Sequence, residues 1–330
     1  MAVTMEWESR LGRRLRVRDL YILSSVVKSG SMAGAARLLA MSQPAVSEAI
    51  ANLEHLLRVR LLERSTHGVA PTRYADAILK RCVTVFDELQ QGVRDVEFLA
   101  DPTRGEVRIG YTESIAGTVL LSKLIERFSR QYPRVLLQAD IVGASFSSRF
   151  PGLRERKYDL VVARMWLPRD RLEEGLSMEF LFDDPVFVVA GLRTQWARRK
   201  KVDLAELVDE PWLLPPPGSA NHDRLVEAFS AAGLKLPTGS LVTFSVDLRA
   251  RLCARGRHVT VVPSSMLRHG DEGYRLKVLP IQLPSRPWPI TVVTLKNRIL
   301  SPVAERFIAC AHEVAKSMEG GERKRRSASA

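Results

Sequence analysis

The residues best placed to hold a ligand are four short polar segments at the ends of apolar runs. They are Thr112-Glu113-Ser114, Gly143-Ala144-Ser145-Phe146, Gly218-Ser219-Ala220-Asn221 and Thr243-Phe244-Ser245. Each falls where a strand hands over to a helix, and the free N–H groups of a helix N-terminus attract anions. Taken singly, each Ser or Thr also reads as a plain N-cap. Arg164 follows the apolar run Leu160-Val161-Val162-Ala163 and could pair either with a carboxylate ligand or with an acid on the surface. Glu113 complicates an anion pocket and would suit a hydroxyl, amine or sugar-like group, so the ligand's class stays open between a carboxylate and a sugar-like compound.

Catalysis has less to build on. His55, His67, His222, His258, His269 and His312 include no HxxxH pair, and no GxSxG, GxxxxGK[ST] or GxGxxG motif occurs. Cys82, Cys253 and Cys310 lie far apart, which suits neither a disulfide framework nor a CxxC motif. Cys253 and His258 are close in sequence, but a helix-to-strand junction more often buries such residues structurally. No enzymatic activity, metal or cofactor is expected.

The scaffold is sized for more than one domain. With 330 residues, 45% hydrophobic and 26% charged, the chain can bury a substantial core, which excludes a peptide, a coil-only fibre and a disordered chain. A formal charge of +13 makes a polyanion a plausible partner. Residues 1–75 carry 11 Lys and Arg against 6 Asp and Glu, so most of the excess lies further on, in Arg193, Arg198, Arg199, Lys200, Lys201 and the run Arg323-Lys324-Arg325-Arg326. That last run reads as a disordered basic tail, either a phosphate-contacting arm or a solvated end. No apolar run reaches signal-peptide or membrane-spanning length, so a cytoplasmic protein without membrane contact is expected.

The first 75 residues read as three helices and a hairpin. Val17, Leu20, Tyr21, Leu23, Ser24 and Val27 predict a helix over 18–28. Ser31 caps a second over 32–40, with Ala36 and Leu39 inward, and Ser42 caps a third with Pro44 in its first turn and Val46, Ile50, Leu53 and Leu57 buried. Close crossing needs the small Ala36, and the turn places Ala40 where glycine is often required, which implies mild strain. Leu61 to Thr72 then reads as a β-hairpin around Thr66-His67-Gly68, with Arg64 available to a phosphate or the minor groove.

These residues closely resemble the N-terminal domain of the LysR-type transcriptional regulators. The resemblance rests on Ser29-Gly30-Ser31-Met32-Ala33-Gly34-Ala35-Ala36, Met41-Ser42-Gln43-Pro44-Ala45-Val46-Ser47, Asn52-Leu53-Glu54 and Leu61-Leu62-Glu63-Arg64, in that order. It implies a winged helix-turn-helix that binds interrupted palindromes in double-stranded DNA as a homodimer or homotetramer and answers to a small-molecule effector. By that resemblance the base-contacting segment is Ser42, Gln43, Pro44, Ala45 and Ser47, and Gln43 would pair with an adenine edge, worth about 1–3 kcal/mol if bidentate. Glu48 departs from the arginine common among relatives. It either accepts from cytosine N4 or stays solvated beside a neighbour.

Leu79, Cys82, Phe86, Leu89, Val93, Val96 and Ala100 follow 3-4 spacing, the seam of a coiled coil. A helix over 79–100 would be about 33 Å long and reads as a dimerisation helix closed by the hinge Asp101-Pro102-Thr103-Arg104-Gly105. From Glu106 strands alternate with helices, which predicts mostly parallel sheets in two subdomains around a cleft. The family resemblance, weaker here, implies an effector domain shaped like a periplasmic binding protein. The expected fold is therefore α/β and multidomain: a basic arm (1–17), winged helix-turn-helix (18–75), linker helix and hinge (76–104), effector domain (105–318) and basic tail (319–330). Within the effector domain, subdomain I takes about 105–180 and 281–318, and subdomain II about 181–280. Two alternatives remain at this stage: a carrier protein whose N-terminal helices bind protein, and a ligand-independent architectural DNA binder, which the two-lobed body disfavours.

Overall fold

A computed structural model describes residues 14–65, 68–142, 150–165, 175–267, 274–281, 283 and 288–328, and the chain divides into units spanning Met1–Gly92 and Val93–Ala330. The proposed basic arm falls almost entirely outside the described residues.

In the first unit, α1 (Val17–Ser29) ends at Gly30, whose φ of 67° is the left-handed cap glycine accepts readily. Helix α2 (Met32–Leu38) starts at Ser31, whose hydroxyl accepts from Gly34 N, and stops short of the expected Ala40. Ala40 itself has a φ of 51°, so the strain expected at this turn is present. Helix α3 (Gln43–Leu57) is capped by Ser42, which accepts from Ala45 N. Leu23, Val26, Ala35, Val46, Ile50 and Leu53 close a core between the three helices. Strands β1 (Leu62–Ser65) and β2 (Gly68–Pro71) pair antiparallel as the wing, and Val69 N donates to Gly30 O, fixing β2 to the turn that follows α1.

Helix α4 (Arg73–Ala100) corrects part of the seam. Cys82, 2% exposed, lies in the core of the first unit, and Leu79 and Phe86 pack against that core, with Phe86 edge-on to Tyr21 at 5.6 Å. A three-helix unit is too small to cover its own apolar face, so the first turns of α4 complete it and Cys82 has no surface for a partner helix. Leu89, Val93, Val96 and Leu99 remain 50%, 59%, 66% and 79% exposed.

The second unit holds two five-stranded sheets. The first runs β4 (Arg134–Ile141), β3 (Arg104–Tyr111), β5 (Leu160–Arg164), β12 (Trp288–Leu295), β6 (Leu176–Asp184). The second runs β11 (Leu276–Val278), β7 (Val186–Gly191), β10 (Val259–Pro263), β8 (Trp212–Leu214), β9 (Gly239–Val242). Both are mixed rather than mostly parallel: β3 is parallel to β4 and β5, whereas β12 is antiparallel to β5 and β6; β8 is parallel to β9 and β10, whereas β7 is antiparallel to β10 and β11. The chain passes between the sheets at Asp184-Pro185 and again between β11 and β12, so β6 belongs wholly to the first lobe and subdomain I reaches a few residues beyond 180.

Helices α5 (Glu113–Ala116), α6 (Val119–Gln131) and α7 (Pro151–Arg154) belong to the first lobe. Helices α8 (Ala220–Ala231), α9 (Val246–Arg255) and α10 (Ser264–Leu267) belong to the second. Gly191 lets α9 lie on β7, because a Cβ there would stand 2.5 Å from Cys253 O. The last helix, α11 (Pro302–Ala328), packs Phe307 against Phe128 of α6 at 5.1 Å. Its backbone continues through the run placed in a disordered tail. Glu322, Lys324, Arg325 and Arg326 are adequate helix formers, and cations suit a helix C-terminus.

Candidate nucleic-acid interface and ligand cleft

The interface is built from α3 outward. Val46, Ile50 and Leu53 are fully buried, which turns Ser42, Gln43, Pro44, Glu48, Asn52 and His55 to the exposed face and leaves Ala45 and Ser47 half-buried at its edge. The Ser42 cap leaves other first-turn N–H groups of α3 available to a phosphate. Glu48 is exposed and makes no ion pair among the described residues. Arg64 sits in β1 opposite Val69, but its side chain lies outside the described residues.

Sequence reasoning named Glu54 only as part of a motif, and the structure gives it a task. Its Oε1 accepts from Leu61 N at 2.7 Å and Leu62 N at 3.2 Å, tying the start of the wing to the outer end of α3. Thr72 locks the other side, its hydroxyl donating to Arg60 O at 2.8 Å. Helix and wing are thereby held as one rigid reading head.

In the second unit, the segment after β3 meets the start of α9. Thr112 N donates to Val162 O at 3.1 Å, which continues the pairing of β3 with β5 past Tyr111, and the Thr112 and Ser114 hydroxyls lie 3.1 Å apart. Glu113 reaches the other lobe, where both carboxylate oxygens accept from Val246 N, at 3.2 and 3.4 Å. Burial pushes the Glu113 carboxyl above its ordinary range, and the hydrogen bond from Val246 N and the charge of Arg249 only partly offset this. Ser245 caps α9, accepting from Leu248 N, and Thr243 accepts from Ser245 N at 3.2 Å. Gly117 closes the same side: a Cβ there would meet Met266 Cε at 3.1 Å.

Arg164 is a correction. Instead of awaiting a ligand or pairing at the surface, it is buried and bound to Asp184, which accepts from its Nη2 while the Asp184 backbone oxygen accepts from Nη1. Asp184 also accepts from Ser264 Oγ at 2.9 Å, Ser265 N at 2.9 Å and Ser265 Oγ at 2.6 Å. The acid stands at the passage between lobes, so the cluster braces β5, the end of β6 and α10 against one another. Arg224 of α8 lies close enough to feel both Arg164 and Asp184, and burial lowers it to about 10. Ser219 caps α8, accepting from His222 N, and Gly218 has a φ of 79° with open space around it. Gly143 and Ser145 lie outside the described residues. The structure thus brings Thr112, Ser114, Thr243 and Ser245 together. It adds Glu113 as a bridge and Asp184, Ser264 and Ser265 as a brace.

Among the described residues no group of histidines, cysteines and acids is arranged to hold a metal, and no helix is long and apolar enough to cross a membrane. Burial pushes the Cys253 thiol up to about 12, which makes it a poor nucleophile at neutral pH.

A winged helix-turn-helix on a chain that also carries a two-lobed α/β domain is the layout of a DNA-binding protein with a separate ligand-binding domain. The comparisons give the family. Residues 17–76 match the model of the bacterial regulatory helix-turn-helix protein, lysR family, and residues 100–316 match the LysR substrate binding domain, so the chain belongs to the LysR-type transcriptional regulators. It is 28% identical over 290 residues to the uncharacterized HTH-type transcriptional regulator YdcI of Escherichia coli (strain K12), covering 88% of this chain and 92% of that one. To the transcriptional dual regulator GltC of Bacillus subtilis (strain 168) it is 27% identical over 265 residues, covering 80% and 85%. Among solved structures it resembles a full-length OxyR variant from Pseudomonas aeruginosa, with a TM-score of 0.62 at 20% identity over 92% of this chain and 95% of that one. It also resembles the effector-binding domain of QuiR in complex with shikimate, with a TM-score of 0.52 at 19% identity over 65% and 98%. The protein is accordingly a DNA-binding transcriptional regulator with an effector-binding domain.

Proposed function

We propose that this regulator reads an interrupted palindrome as a homodimer or homotetramer and changes its DNA affinity when a small molecule enters the cleft of its second unit. The observation that carries the reading is the exposed face of α3, where Ser42, Gln43 and Pro44 are presented, with Ala45 and Ser47 half-buried at its edge, by a capped helix whose other face is buried. Gln43 reads a base edge, Arg64 contacts the backbone, and Leu89, Val93 and Val96 form the seam between copies. The effector contacts are Thr112, Ser114, Thr243 and Ser245, with Gly218 and Ser219 on the opposing loop. Shikimate in the similar QuiR domain supports a polyhydroxy carboxylate as the type of molecule to try first. The protein works in the cytoplasm.

The test is a titration of purified protein against the duplex upstream of its own coding sequence, with unrelated duplex as competitor, at two salt concentrations. Specific binding that falls steeply with salt supports the reading, because neutralised phosphates release counterions. Equal affinity for both duplexes at low salt, unchanged by effector candidates, counts against it.

A further inference from the structure

Much of the chain's positive charge gathers at one end of the second lobe's sheet. Because β7 runs antiparallel to β10 and β11, and β8 and β9 run parallel to β10, the carboxyl end of β7 lies with the amino ends of the other four strands. Arg193 follows β7, Arg255 and Arg257 precede β10, Arg275 precedes β11 and Lys235 precedes β9. The run Arg198-Arg199-Lys200-Lys201 joins them from the loop after β7. All nine cations are exposed, against four acids in the same loops, Asp203, Glu206, Asp209 and Glu210. Glu206 pairs with Arg199 at 2.7 Å, and the other eight cations make no ion pair among the described residues. Elsewhere in the second unit Arg104 and Arg134 are matched by Asp101, Arg127 by Glu313, Arg130 by Glu126 and Arg251 by Asp247. Like charges held together without acids repel one another, a cost that a bound polyanion removes. Apart from Leu192, 45% exposed, these loops expose no large apolar side chain among the described residues, and Trp196 is buried. Protein interfaces are built around such apolar anchors, whereas a nucleic-acid backbone is held by cations alone.

We propose that this pole of the second lobe is an additional DNA-contacting surface, which grips the phosphate backbone of the duplex without reading its sequence. Spacing supports the partner as well as charge. A five-stranded sheet is about 19 Å wide and a DNA strand carries a phosphate about every 3.4 Å, so a duplex laid along the pole presents about five or six phosphates to cations spread over the strand ends. Six of the nine cations are arginines, whose forked donors match a phosphate with two hydrogen bonds. Contacts here add affinity and salt dependence to those of α3 and lengthen the stretch of duplex the protein covers. The surface rests on the chain being a DNA-binding regulator and not on which palindrome α3 selects.

The test uses the full chain and the duplex upstream of its coding sequence. Arg198→Gln, Lys200→Gln, Lys201→Gln and Arg257→Gln are combined in one pole variant, all at exposed positions without an ion pair. Lys123→Gln, Arg130→Gln, Lys157→Gln and Lys296→Gln, at exposed positions of the first lobe, form a control with the same change in net charge. In titrations across a salt series the pole variant should lose about 3 from the slope of log affinity against log salt and bind about tenfold or more weakly at low salt, while the control stays within about 1 of the wild-type slope. Contact is read separately by a thiol-reactive aryl azide, which the buried Cys82, Cys253 and Cys310 leave to an introduced cysteine. Placed at Lys200→Cys it should photocrosslink the duplex, and at Lys123→Cys it should not. A pole-variant slope no different from the control's, or crosslinking no stronger at Lys200→Cys than at Lys123→Cys, would overturn the surface and leave its charges to an acidic protein or to solvent. Salt-dependent duplex binding by wild type alongside either result rejects the pole alone and leaves the regulator reading standing.

Discussion

Replacing Asp184 by asparagine keeps the shape of the buried cluster between the lobes and deletes its acid charge. Asp184 is fully buried, and its carboxylate accepts from Arg164, Ser264 and Ser265. Asparagine still accepts at one oxygen, but its amide brings two N–H donors toward groups that already donate, and Arg164 keeps only the Asp184 backbone oxygen, at 3.3 Å. Breaking a buried pair from one side costs about 3–5 kcal/mol, because the remaining charge stays desolvated. Against a typical domain stability of about 5–15 kcal/mol, that is a large fraction. Urea unfolding of the second unit, followed by circular dichroism, should show the midpoint falling by that free energy divided by the slope, with the slope unchanged. Arg164→Met together with Asp184→Asn removes both charges and should recover most of the loss, a coupling readable from a double-mutant cycle. A loss under about 1 kcal/mol in Asp184→Asn, or a double variant as unstable as the sum of the singles, would refute the brace.

Four further outcomes follow from named contacts. Ala40→Gly should stabilise the first unit by about 0.5–1 kcal/mol in thermal unfolding, since glycine adopts the left-handed turn without the Cβ penalty. Glu48→Arg should tighten duplex affinity and steepen the salt slope by about one ion, whereas unchanged binding across a salt series would place Glu48 away from DNA. Val93→Glu should weaken self-association about tenfold or more in analytical ultracentrifugation, because it puts like charges on the exposed stripe of both copies. Asp159 gives a pH test: burial acts to raise its carboxyl, but hydrogen bonds from Arg108 and the charges of Arg108 and Arg298 outweigh that and hold it below its ordinary value of 3.8. A depressed acid contributes stability that is present above the unfolded value and lost as pH falls through the folded one, so unfolding of the second unit should steepen below about pH 4, and Asp159→Asn should remove that part of the acid dependence.

What the sequence disclosed was mostly local. Capping serines at Ser31 and Ser42, the burial period of α3 and the awkward Ala40 all depend on residues within a turn of one another, and each is where spacing placed it. Strand β6 is hard to read from the sequence because its alternation is broken: Leu181 and Phe182 are both buried where the pairing with β12 shifts between Ile290 and Thr291. Mixed strand directions were unreadable, since direction is set by connections and not by residue type. Arg164 was misassigned because Asp184, 20 residues on, is brought to it only by the passage between lobes. Cys82 fits a heptad seam as well as it fits the core it actually completes, and spacing alone does not separate the two. Glu113 drew notice as an oddity in an anion pocket. Its partner at Val246 is a backbone N–H in the other lobe, which no side-chain pattern announces.

The central claim is that α3 reads bases. Selection of bound duplexes from a randomised pool, run in parallel for wild type and Gln43→Ala, tests it most directly. Wild type should enrich an interrupted palindrome, and Gln43→Ala should lose preference at one position in each half-site, by about 1–3 kcal/mol, while keeping its salt slope. A wild-type pool with no enriched sequence, or the same palindrome at the same strength from Gln43→Ala, would contradict the account.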